Sequence, residues 1–116
     1  MDYQKLKMEA EKFASDRDWA QFHSVKNLSM ALSVECSELL EIFQWMSEEE
    51  SNLLMNNPEK MQKVKDEAAD IFVYLMRLSG KLNIDLEEAV IAKMKKNAEK
   101  YPVDKSRGNS KKYDEL

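Results

Sequence analysis

Apolar residues recur along this chain at three- and four-residue intervals, the spacing of an amphipathic helix. Four such segments stand out. The first runs roughly from Asp2 to Ala14, with Leu6, Ala10 and Phe13 in phase. A polar break at Ser15–Asp18 and a short aromatic stretch, Trp19 to His23, follow. The second runs from about Val25 to Met46. Residues 47–57 read as a loop holding one helical turn. Asn57 and Pro58 open the third helix as N-cap and first-turn proline, and it ends near Gly80. Asp85 and Glu88 have capping-box spacing, so a fourth helix runs from there to about Lys100, and Pro102 stops it. The expected fold is all-α, a four-helix bundle assembled as an oligomer. Residues 1–101 would form the helical domain and 102–116 a basic tail.

The helical phase also places polar residues where a packed helix wants apolar ones. In the second helix Leu28, Leu32, Leu39, Ile42 and Met46 share one line, and Glu35 falls on it, with Glu38 on the flank. In the third helix the stripe is Val64, Ala68, Ile71, Leu75, Leu78 and Leu82; Glu67 sits on its edge and Asp70 just beyond. In the fourth, Lys93 and Asn97 lie on the stripe of Leu86, Val90, Met94 and Tyr101. A buried unpaired charge costs several kcal/mol, so Glu35 needs a compensating partner. Two readings follow. Either Lys93 neutralises Glu35 as an internal ion pair of a non-catalytic self-association module, or several carboxylates hold a cation. Four carboxylates against one lysine leave a negative excess, which an all-oxygen Mg²⁺ or Mn²⁺ site resolves.

Composition narrows the field. The chain has 116 residues, 43% hydrophobic and 34% charged, with a net charge of −4. That is a globular composition for one domain, and its acidity argues against a duplex-DNA partner. One Cys and one His exclude an intrachain disulfide and a ferritin-like Glu-x-x-His pair. No apolar run reaches the length of a membrane span, and the N-terminus does not read as a signal peptide, so a cytoplasmic location is expected. Taken alone, Trp45 and Cys36 read as packing residues, and Trp19 and His23 as packing or capping residues.

The spacing Glu35-x-x-Glu38 … Glu67-x-x-Asp70 resembles the signature of the all-α nucleoside triphosphate pyrophosphohydrolases, the MazG-like superfamily. Arg17-Asp18-Trp19, Gln21-Phe22-His23, Phe43-Gln44-Trp45, Lys93-Met94, Asn97 and Tyr101-Pro102 are similar to the deoxycytidine triphosphate pyrophosphatase branch. The likeness covers residues 13 to 116. Val34 and Ser37 stand where that family often has Gly. The resemblance implies cleavage of a nucleoside triphosphate, dCTP or a related pyrimidine, to monophosphate and pyrophosphate, with cleansing of the nucleotide pool. It implies Mg²⁺ on Glu35, Glu38, Glu67 and Asp70, and phosphate contacts from Lys93, Asn97 and Tyr101. Glu38 and Lys93 would take the catalytic roles, as proton acceptor and as the charge opposite the leaving group. Trp19, His23 and Trp45 would shape the base and sugar pocket. The resemblance further implies a homotetramer built from dimers, in keeping with a third helix that is apolar on more than one side.

Overall fold

The computed structural model describes residues 1–116 and is helical throughout, with no strand. The longer helices are α1 (Tyr3–Asp16), α2 (Val25–Phe43), α4 (Pro58–Lys81) and α5 (Leu86–Lys100). The short helices α3 (Glu48–Asn52) and α6 (Val103–Ser106), and three 3₁₀ turns, fill the connections. No helix is long and apolar enough to cross a membrane.

The sequence sets most of these boundaries through local chemistry. Asp2, Ser24, Ser47, Asn57 and Asp85 each accept a backbone N–H three residues on, satisfying a donor that the first turn leaves free. Pro58 occupies the first turn of α4, where its missing N–H costs nothing. At the other end of α4, Asn83 adopts a left-handed conformation (φ 55°) and donates to the Gly80 carbonyl, which turns the chain out of the helix. Helix α2 stops at Phe43 rather than Met46, and the expected one-turn loop contains both α3 and the 3₁₀ turn Leu54–Asn56.

The chain divides into two compact units, Met1–Asn83 and Ile84–Leu116. In the first, α2 packs along α4, and α1 packs on α4 as well. Leu28 on α2 and Met76 on α4 are the largest fully buried side chains, each worth about 1.5–3 kcal/mol of burial. Tyr3 meets Phe72 edge to face, tying the start of α1 to α4. Because α4 serves two neighbours, Met76 and Ser79 are buried while Ala68 and Leu82 of the expected stripe are exposed. A single stripe does not describe a helix that is covered from two sides.

In the second unit α5 buries no residue. Val90, Ile91 and Met94 are exposed, and Lys93 is exposed too, which corrects its expected place on a core-facing stripe. Tyr101 and Tyr113 meet edge to face, and the Lys100 ammonium lies over the Tyr113 ring. Cys36 is exposed rather than packed.

Candidate metal and nucleotide site

Glu35 and Glu38 lie one turn apart on α2, and Glu67 lies on α4, the helix along which α2 packs. The packing brings one carboxylate oxygen from each of the three to within 4.8 Å of the others. Glu35 and Glu67 are half-buried and Glu38 is exposed. One oxygen of Glu35 and one of Glu67 are buried with no hydrogen-bond partner. Such orphaned acceptors are rare in folded chains, because each forgoes the hydration it had in water.

The electrostatics show the same strain. Burial, then the adjacent Glu67 and Glu38 carboxylates and the charge of Asp70, push the Glu35 carboxyl up to about 7. Glu67 is also raised. The Glu35 carboxyl beside it, as a hydrogen-bonding partner, pulls it down, but burial and repulsion from Glu38 and Asp70 outweigh that pull. A divalent cation fits this set: three carboxylates from two helices, two of which carry a buried oxygen without a partner, in a region of excess negative charge. Asp70, one turn beyond Glu67, acts on the cluster through its charge and stands outside the close triad.

Asp70 also lines a cavity of about 420 Å³ between α1, the 3₁₀ turn Ala20–Phe22 with its flanking Trp19 and His23, and α4. Its walls include Phe13, Trp19, His23, Tyr74 and Arg77. The rings meet edge to face in series: Phe13 with Trp19 at 5.6 Å, Trp19 with His23 at 6.1 Å, and His23 with Tyr74 at 6.3 Å between centroids. The expected pair Trp19 and His23 is therefore brought together beside Asp70. Trp45 is not among the walls; it follows the end of α2 and is 90% exposed, so it is not a packing residue. Lys93, Asn97 and Tyr101 belong to the second unit, Lys93 and Tyr101 exposed and Asn97 half-buried on α5.

Sequence reasoning did not assign Tyr74 and Arg77 to a site. Arg77 had a signal: it is the one cation within the apolar run Ile71–Leu78. A second, more open groove of about 490 Å³ carries Glu38 and Glu67 together with Glu41, Lys60 and Lys63.

The sequence model of the MazG-like family matches residues 30–116. The chain belongs to the MazG-like family. It is 42% identical over 104 residues to dCTP pyrophosphatase 1 of Rattus norvegicus and 39% identical to that of Homo sapiens, in each case over 90% of this chain. The chain spans about 61% of the length of these relatives. A crystal structure of a pyrophosphatase from Archaeoglobus fulgidus superposes with a TM-score of 0.79 at 38% identity, covering 88% of this chain and 94% of that one.

Proposed function

We propose that this chain is a metal-dependent nucleoside triphosphate pyrophosphohydrolase that takes dCTP or a related pyrimidine nucleotide. The observation that carries the reading is the Glu35–Glu38–Glu67 triad with its two unsatisfied buried oxygens, set beside an aromatic cavity through Asp70. The names of the relatives and of the superposed structure support it.

Glu35, Glu38, Glu67 and Asp70 would hold Mg²⁺, with Mn²⁺ as the substitute. A divalent cation bound there would neutralise phosphate charge and polarise a phosphoryl oxygen. Water supplies the oxygen of the new P–O bond, and the bond bridging the α and β phosphates breaks. The monophosphate and pyrophosphate leave. The water proton passes to a carboxylate, and Glu38, the exposed member of the triad, is the acceptor. Lys93 opposes the charge that develops on pyrophosphate, and Asn97 and Tyr101 hold phosphate oxygens. Trp19, His23 and Trp45 shape the base and sugar pocket, Trp45 from outside the cavity that Trp19 and His23 line. Residues 1–101 carry these groups, with 102–116 as a basic tail.

The working form is a homotetramer built from dimers. Exposed apolar side chains such as Met30 and Leu40 on α2, each more than half exposed, support cover by a second copy. The activity is cytoplasmic and removes unwanted deoxynucleotides from the pool. The test is a panel of triphosphates in Mg²⁺ with product identification. Monophosphate and pyrophosphate in equal amounts, fastest from dCTP, is the expected result; inorganic phosphate or no product overturns the reading.

A further inference from the structure

The aromatic cavity contains a polar contact that neither the metal cluster nor the phosphate-binding groups require. Arg77, on α4, hydrogen-bonds through Nη1 to Nδ1 of His23, 54 residues away in the chain. A guanidinium has donors and no acceptor, and it does not lose its proton in proteins. Nδ1 of His23 must therefore be the acceptor and carry no hydrogen. The imidazole is then neutral, with its one hydrogen on Nε2. Trp19 and Tyr74 hold the ring from two sides by edge-to-face contacts, so its orientation is restricted as well as its protonation.

The surroundings agree with a neutral ring. Burial, then the charges of Arg77 and Lys81, hold the His23 pKa below the ordinary imidazole value. The other titratable groups lining the cavity are Glu9 on α1 and Asp70 and Tyr74 on α4. Arg77 has no carboxylate partner; the one side-chain ion pair of the chain is Lys12–Asp16 at 2.6 Å. A half-buried guanidinium that spends a hydrogen bond on a histidine, rather than on an acid, fixes that histidine's tautomer.

We propose that Arg77 is a positioning residue that locks His23 as the Nε2–H tautomer, so that the cavity offers a hydrogen-bond donor to a base bearing a carbonyl or ring-nitrogen acceptor. This rests on the aromatic cavity being the base pocket. His23 is then a fixed donor rather than a group that switches between donor and acceptor. Cytosine and uracil both carry the O2 carbonyl acceptor, so Arg77 supports the binding of either through His23. It does not distinguish the two pyrimidines from each other.

His23 is the only histidine in the chain, so a proton–nitrogen correlation spectrum of the imidazole reads one residue without assignment. In the wild-type protein, without nucleotide, Nδ1 is expected as the unprotonated nitrogen and Nε2 as the protonated one. Arg77→Met should give a mixture of tautomers, and Arg77→Lys, which keeps a donor, should restore most of the bias. In turnover, Arg77→Met should raise KM for dCTP and dUTP by the inverse of the Nε2–H fraction that the spectrum shows, about twofold for an even mixture, with kcat unchanged. In a His23→Gln background the same substitution should add nothing.

An unchanged tautomer in a folded Arg77→Met protein overturns the proposal, as does a full Arg77→Met effect in the His23→Gln background. A wild-type chain that hydrolyses no triphosphate defeats the base-recognition half together with the functional reading it rests on, while the spectrum still decides whether Arg77 sets the tautomer.

Discussion

Glu35 on α2 and Glu67 on α4 face one another with a buried, unpartnered oxygen on each. Two acidic groups in that arrangement repel, and the packing of α2 along α4 holds them together regardless. Burial and repulsion between these carboxylates are what a bound cation relieves.

Replacing either residue should therefore separate activity from folding. Glu35→Gln and Glu67→Gln should each lose more than the roughly 10–100-fold that removal of a metal site's outer partners costs, while the circular dichroism of the helices stays at wild-type amplitude. Near-wild-type rates at saturating Mg²⁺ would show that the oxygens are not ligands.

Cation binding should also be visible in melting curves. A ligand that binds only the folded chain stabilises it by RT ln(1 + [L]/Kd), about 2.7 kcal/mol at one hundred times Kd. Millimolar Mg²⁺ or Mn²⁺ should raise the wild-type melting temperature, and Glu35→Gln should lose most of that shift. An internal Glu35–Lys93 ion pair would give the reverse: no response to Mg²⁺, and a Glu35→Gln protein that melts lower because it has lost a partner.

In chelator, the raised Glu35 pKa makes stability fall as pH rises. The folded chain keeps a proton on Glu35 up to about 7, whereas the unfolded chain releases it near 4.5. Between those values the folded state binds more protons, so each step up in pH disfavours it. The contribution is complete below pH 4.5 and gone above about 7. His23, whose pKa is lowered, acts in the opposite sense and loses stability as pH falls. The difference in melting temperature between wild type and Glu35→Gln reads Glu35 together with the neighbouring Glu67 carboxyl, which is also raised. It should move in favour of Glu35→Gln between pH 5 and 8, and a constant difference would contradict it.

Trp45→Ala should leave stability within about 0.5 kcal/mol, because the ring is exposed and packs against little. Its effect should fall on KM and on the preference among bases. Equal losses of kcat for every triphosphate, with a lowered melting temperature, would mean a packing role instead.

Light scattering at micromolar concentration should give a mass near four times the 13.6 kDa chain. A monomer would show that the exposed apolar faces of α2 and α5 have some other cover or none.

The helices themselves were legible in the sequence. Caps at Asn57 and Asp85, the proline at 58 and the three- and four-residue apolar spacing are local signals, and a helix is a local structure. The acidic residues were legible for the same reason, since Glu35 and Glu67 intrude on apolar stripes that a single helix already defines. Which faces those stripes meet was not. Lys93 looked inward on the phase of α5 alone and is exposed, and Trp45 looked like packing material and is bare, because burial depends on neighbours that the sequence of one helix does not contain. The aromatic cavity likewise joins residues of α1, the 3₁₀ turn and α4, and no spacing rule links His23 to Arg77 across 54 positions. Sequence periodicity specified each helix and its chemical oddities; only the packing of α1 and α2 onto α4 decided which oddities meet, because those contacts are fixed by shape in three dimensions and not by order along the chain.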